Sequence, residues 1–410
     1  MGIEIRVCPP DRFRELLKLA GVAFSEDVPE DLMDRVERVA EKERFFTALE
    51  GDRMVATSGV FTMLMSVPGG ELPAGGLTWV SVLPSHRRRG LMRGMMRLMT
   101  DDCHGRGEPI AILWAAEGAI YQRFGFGLAT FSLNLDAETR SVGFAREWEA
   151  EGACRLIPAG EGLDLVAPVY EAARVQRAGF LARTPDWWVG ILPRPEKDPA
   201  GGEPKRLVVY ETADGPEAYA VYKAKGDWNV RGPAGLVTVE EAIGATPRGT
   251  REIWRFLLNV DLMRTLKASR LPADHALFHL ADEPRRLGTS VGDGLWLRIV
   301  DVAVALEGRT YGMDGAAAGQ LTFDLRDEYC PWNAGRWTLD VEHGRARVVR
   351  SDGPADLALD AGDLGALFLG GVGATVLALT GRVVELRGGS LAKADRLFRT
   401  AVDPWCPQEF

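Results

Sequence analysis

Cysteine and histidine are scarce in this sequence, with five of each among 410 residues. Cys8, Cys103, Cys154, Cys330 and Cys406 are odd in number and widely spaced, and no two form a CxxC. That argues against a disulfide framework and a structural zinc site, and for a reducing compartment. His275 and His279 stand four apart without a third ligand nearby, so a packing role is expected and no metal. An excess of positive charge is also missing. The 49 basic residues are outnumbered by 58 acidic ones, for a formal charge of −9. Nucleic acid is therefore not an expected partner, because phosphate backbones need a basic face. Long apolar runs are absent too, since the longest, residues 364–379, is broken by glycines and too short to span a bilayer. The first residues show no basic segment followed by an apolar one, and Arg6 stands where a myristoylated Gly2 would require Ser or Thr. No G-K-[ST] occurs, so there is no P-loop. A cytoplasmic protein without a membrane span is expected.

What remains is an ordinary globular composition, 46% hydrophobic and 26% charged, long enough for two to four domains. Residues 3–7 alternate as a strand, and Leu16, Leu17 and Ala20 mark a helix after it. Residues 25–44 read as an acidic helical stretch. Strands are expected at 45–50, 53–60, 62–67 and 77–83, with Gly51-Asp52 as a tight turn. Leu91, Met92, Met95, Met96 and Met99 recur at helical spacing over 91–102. A strand at 110–114, a short helix at 118–124 and a closing strand at 128–135 complete a first unit, 1–135. A second unit, 136–290, has helices at 167–174 and 183–191 and a Pro/Gly-rich loop at 193–204. Strands follow at 206–211, 217–225, 227–230 and 234–239, then a long helix at 250–269 and a strand at 275–280. From about residue 292 short strands, Gly/Asp turns and two helices indicate a third, α+β unit, 291–410. The fold class is α/β (α+β).

Chemistry concentrates where the strand ending in Val80-Ser81-Val82 runs into Pro84-Ser85-His86-Arg87-Arg88-Arg89-Gly90 and a helix begins at once. Unpaired amides of such a turn, with a helix N-terminus behind them, form a cradle for a pyrophosphate. Gly90 lets the backbone come close, and the arginines add charge. This segment resembles the acetyl-CoA-binding motif of the GNAT superfamily of N-acetyltransferases, V-x-V-x-P-x-x-R-x-x-G-x-G/A. Val80, Val82, Pro84, Arg87 and Gly90 match it, while Met92 replaces the usual last small residue. A second segment, Tyr121-Gln122-Arg123-Phe124-Gly125-Phe126-Gly127, resembles the Y-x-R-F-G-Y/F-G region of the Eis (enhanced intracellular survival) acetyltransferases. The length and three-part layout agree with that family.

The resemblance implies tandem GNAT-fold domains, the second degenerate, followed by a sterol-carrier-protein-like domain. It implies acetyl-CoA as cosubstrate, with Val80, Ser81 and Val82 along the pantetheine arm and Arg88, Arg89, Gly90, Leu91, Met92 and Arg93 on the phosphates. Ala116 and Glu117 would touch the far side of the cofactor. Tyr121 would be the general acid and the C-terminal carboxylate of Phe410 the general base. Cationic multi-amine compounds such as aminoglycosides would be substrates, and the assembly a homohexamer. Trp79, Glu26, Asp27 and Glu409 are candidates for the substrate pocket, Glu26 and Asp27 within an acidic stretch that also reads as a solvated helix face. Direct attack of an amine on a thioester needs no enzyme nucleophile, consistent with the scattered cysteines. Protein lysine as substrate and a non-catalytic role as CoA sensor or lipid carrier are the competing readings. The second unit lacks R-x-x-G-x-G, its nearest approach being Arg248-Gly249, and is expected to bind no CoA.

Overall fold

A computed structural model describes residues 2–194 and 203–410; most of the loop expected at 193–204 lies outside them. The chain forms two compact units. One comprises the residues up to Thr130 with Gly294–Pro404 and Gln408–Phe410, the other Phe131–Asp293 with Trp405–Pro407.

The first unit opens with β1 (Ile3–Val7), α1 (Phe13–Phe24), α2 (Glu30–Val39), β2 (Phe45–Glu50), β3 (Arg53–Val67) and β4 (Gly70–Val82). It continues with α3 (Leu91–Gly105), β5 (Ile110–Trp114), α4 (Gly118–Gln122) and β6 (Gly127–Leu128). Helix α1 buries Phe13, Leu16, Leu17 and Ala20, and α3 buries Leu91, Met95, Met96, Met99 and Cys103. These are the apolar stripes that helical spacing requires. The strands expected at 53–60 and 62–67 are one continuous strand, since neither Phe61 nor Thr62 supplies a turn. Buried Arg44 spans this layer, held by Glu108 at 2.7 Å and Asp102 at 2.6 Å.

The second unit runs β7 (Phe131–Glu138), β8 (Ala153–Ile157), α5 (Leu163–Arg174), α6 (Pro185–Ile191), β9 (Lys205–Thr212) and β10 (Gly215–Lys225). A small ribbon, β11 (Trp228–Asn229) and β12 (Gly232–Pro233), precedes β13 (Gly235–Gly244), α7 (Pro247–Leu258), β14 (Met263–Pro272), α8 (Leu277–Leu280) and β15 (Ser290–Asp293). Its sheet has the order β15-β7-β14-β13-β10-β9-β8. The long helix expected at 250–269 stops after Leu258. Asn259 leaves helical geometry, Leu262 takes a left-handed φ of 66°, and Leu266 and Ala268 turn inward from a strand. The strand expected at 275–280 is the short helix α8, nucleated by buried His275, whose Nδ1 accepts from the Leu277 amide at 3.1 Å.

The chain then returns to the first unit with β16 (Leu295–Ile299), α9 (Val302–Glu307), β17 (Gly319–Arg326), β18 (Gly335–Glu342) and β19 (Arg345–Arg350). It ends with β20 (Leu357–Asp360), α10 (Ala361–Phe368), α11 (Ala374–Leu379), β21 (Val384–Glu385) and α12 (Ser390–Phe398). Four helices stand here where two were expected. Strand β16 lies between β5 and β6, giving the sheet β1-β2-β3-β4-β5-β16-β6. The boundaries expected at 135 and 290 therefore shift. Residues 128–135 split between the two sheets, and Leu295–Ile299 belongs to the first sheet. Thr130 explains why: its carbonyl accepts from the Gly294 amide at 2.9 Å and its hydroxyl from the Leu295 amide at 2.8 Å. The apolar run at 364–379 forms α10, buried throughout, and α11. No helix among the described residues is long and apolar enough to cross a membrane.

Candidate active site

The site begins where two parallel strands stop pairing. β4 and β5 are bonded only from Ala74↔Ile110 to Gly76↔Ile112, although β4 continues to Val82 and β5 to Trp114. In the unpaired stretch β4 carries a bulge: Thr57 faces Ser81 while Gly59 faces Thr78. Trp79 sits in it with a left-handed φ of 51°. Thr57 fixes the bulge, donating to the Trp79 carbonyl at 2.7 Å and lying 2.7 Å from the Ser81 hydroxyl. A bulge of this kind re-aims a strand end and leaves backbone groups available beside a cleft.

The turn after β4 forms the cradle. Arg88 and Gly90 both have left-handed φ, 64° and 81°, and α3 starts at Leu91 with no side chain capping it. Among the described residues the amides of Arg88 to Arg93 find no acceptor; the first such bond is Gly94 to the Gly90 carbonyl at 3.1 Å. Free amides at a helix start are an anion site. Buried His86 stands behind the turn, between the Ser85 hydroxyl at 2.8 Å and the Glu50 carboxylate at 3.1 Å.

A cleft of about 1500 Å³ opens over this cradle. It brings together Val80, Ser81, Val82, Arg88, Gly90, Leu91, Met92, Arg93, Ala116, Glu117 and Tyr121 of the residues singled out by sequence. Arg89 lies outside it, turned 3.4 Å from Glu50. Trp79 is half-buried in the bulge, and Glu26, Asp27 and Glu409 are exposed; none lines the cleft. Of the acidic stretch, Glu30, Asp34 and Glu37 are bound by Arg14, and Asp31 by Arg35. Glu26 and Asp27 make no ion pair among the described residues, and they follow Ala23 and Phe24, which do line the cleft.

Tyr121 is 8% exposed, and burial, reinforced by the Glu117 charge, pushes its hydroxyl up to about 12. That hydroxyl has no hydrogen-bond partner among the described residues. It is a neutral donor facing a cleft. Phe410 lies at the point where the strands part: a methyl group built on Gly76 would stand 3.1 Å from its ring. The tail is tied there by Trp114, whose Nε1 donates to the Gln408 carbonyl at 2.9 Å.

Sequence reasoning missed Arg97, Glu328 and Tyr329 in the cleft wall, and gave Arg123 and Phe124 a place in a motif but no role in the site. It also missed Arg298, buried behind it, which binds Asp327 at 2.7 and 2.8 Å and donates to the Phe124 carbonyl. Arg97 was readable, standing one helical turn beyond Arg93. Glu328 and Tyr329 had no local signal, because only the tertiary fold carries them to α3. No group of three potential ligands among the described residues is placed to hold a metal.

The comparisons with known proteins agree with this geometry. The Acetyltransferase (GNAT) domain family matches residues 4–129 and, through a second family of the same description, 179–299; the Sterol carrier protein domain family matches 302–407. An uncharacterized N-acetyltransferase of Streptomyces avermitilis is 38% identical over 374 residues, covering 91% of this chain and 90% of the relative. N-acetyltransferase Eis of Mycobacterium tuberculosis is 31% identical over 366 residues, 88% and 87% of the two chains. The structure of Eis1 from Mycobacterium abscessus superposes with a TM-score of 0.84 at 27% identity, covering 99% of this chain and 100% of that one. These relatives bear the name of N-acetyltransferases. Kinship of this extent makes the chain a member of the Eis-like N-acetyltransferases of the GNAT superfamily, an acyltransferase whose cosubstrate is an acyl-CoA.

Proposed function

We propose that this enzyme transfers acetyl groups from acetyl-CoA to amines of multi-amine compounds of the aminoglycoside type. The observation that carries the cosubstrate assignment is the uncapped start of α3, whose free amides and unpaired Arg88 and Arg93 face one cleft with the Tyr121 hydroxyl. The thioester supplies an activated acyl carbon. The free amides of 88–93 hold the diphosphate, and the unpaired edge of Val80–Val82 orients the arm that carries the thioester. The amine nitrogen forms its bond to the acyl carbon as the carbon–sulfur bond breaks. An alkylammonium has a pKa of about 10, so a base must take its proton. The α-carboxylate of Phe410, a half-buried residue whose ring lies where β4 and β5 part, is assigned that task. An ordinary α-carboxyl is a weak base, about 3.5, and removal from water strengthens it. Tyr121, held neutral by its high pKa, donates to the departing sulfur. Glu26, Asp27 and the formal charge of −9 favour a cationic acceptor. A homohexamer belongs to the same proposal and is read by light scattering.

The test is thiol release from acetyl-CoA across aminoglycosides, polyamines, lysine and a basic peptide, with product masses. Several acetyl groups on one aminoglycoside would support the proposal. Turnover confined to the peptide would transfer it to protein lysine, and no release with any amine would sink the substrate class.

A further inference from the structure

The cleft is not built by the acetyltransferase domain alone. We propose that the Glu328–Tyr329 segment of the sterol-carrier domain, together with Arg97 and Arg123, forms a second anion site that reads the 3′-phosphate of coenzyme A. The proposal rests on the acyl-CoA reading of the cleft.

Five arginines, 87, 88, 93, 97 and 123, line the cleft against two carboxylates, Glu117 and Glu328. Among the described residues none of the five, exposed or half-buried, forms an ion pair, whereas Arg44, Arg183 and Arg298, whose side chains are buried, are held by acids and buried Arg309 by backbone carbonyls. The turn at 88–93 accounts for a diphosphate. Arg97 lies one turn further along the same face of α3, and Arg123 follows α4, so both are left over. A terminal phosphate, a dianion with three accepting oxygens, suits two guanidiniums better than a diester does.

Tyr329 keeps Arg97 in place. The Arg97 guanidinium sits 4.4 Å from the ring centroid, the Tyr329 hydroxyl donates to the Arg93 carbonyl at 3.1 Å, and the ring meets Phe124 edge-on at 5.3 Å. The segment is itself fixed. Asp327 accepts from the amides of Tyr329 at 3.1 Å and Cys330 at 2.8 Å while gripping Arg298. An aromatic platform orders an arginine without neutralising it, leaving its charge for a ligand.

Calorimetry of the full chain with coenzyme A and with 3′-dephospho-coenzyme A tests this. The intact protein should prefer the former by about tenfold or more, the worth of one or two charged hydrogen bonds. Arg97→Gln combined with Arg123→Gln should bring the preference within about threefold, with the dephospho form bound as before. Tyr329→Leu should shrink the preference likewise, while Tyr329→Phe, which retains the ring, keeps it. Equal binding of both ligands by the intact protein overturns the phosphate site and leaves the cleft reading standing. Equal weakening of both by Tyr329→Leu makes that residue merely structural and overturns the domain's role. Binding of neither would fell the cleft reading itself.

Discussion

Helices α3 and α7 enter their units by the same route and end in different chemistry. Each follows a strand bulged near its end, β4 opposite Thr57–Gly59 and β13 opposite Val221–Tyr222, and each leads to a strand that pairs back in parallel. At α3 the first residue outside the helix is Gly90, left-handed and without a side chain, and the amides stay free. At α7 the Thr246 hydroxyl accepts from the Gly249 amide at 2.9 Å, and Pro247 removes a donor. Arg248 is bound by Glu217 and Glu151, whereas Arg88 and Arg93 have no acid. Tyrosines differ in the same sense: Tyr219 donates to Glu241 at 2.6 Å, beside Arg183, while the Tyr121 hydroxyl is unengaged. One frame thus serves two ends. A helix start is an anion site only where the chain has not already supplied the acceptor.

Breaking the contrast at its strongest point means Tyr121→Phe. Turnover should fall about a hundredfold with coenzyme A affinity unchanged, while Tyr219→Phe should leave turnover intact; steady-state kinetics with a binding isotherm decides. Next in size is a property of the second unit alone. Burial holds His275 down at about 3, against 6.5 when free, so the unfolded chain takes up a proton first as pH falls. Its contribution is complete above pH 6.5 and is lost toward pH 3, at about 1.4 kcal/mol per pH unit. Urea unfolding at pH 7 and pH 5 should show that slope for the second unit, and His275→Asn should flatten it. Gly90→Ala places a side chain at a φ of 81° and should raise KM for the thioester about tenfold without a matching loss of melting temperature. Smallest is Thr246→Ala, which removes a cap and should cost about 1 kcal/mol of stability with no effect on the cofactor. A titration giving two coenzyme A per chain would end the comparison.

Where local chemistry sufficed, the sequence was legible. The methionine stripe of α3, the Arg-rich turn and Tyr121 each carry their own pattern; His86, Arg87, Arg88 and Gly90 of the turn line one cleft with Tyr121, while Arg89 does not. Helix α7 was overextended because apolar spacing runs on past Leu258, and no Gly or Pro stands in Asn259–Leu262 to mark the end of the helix. β16 was misassigned because its partners, β5 and β6, lie far away in sequence; a buried strand does not encode which sheet receives it. Glu328 and Tyr329 were unreadable for the same reason, as was the Arg298–Asp327 pair that braces them.

Thr130 and Gly294, joined by a hydrogen bond, have a consequence in time. A chain emerging from the ribosome makes β5 long before β16 exists, so that edge of the first sheet stays open until all of Phe131–Asp293 has been synthesised. An open edge is a hazard for pairing with other chains. Only afterwards can Arg298 reach Phe124 and Tyr329 reach Arg93. The cleft over the start of α3, whose first residues come early in the chain, is among the last parts of the molecule to be completed.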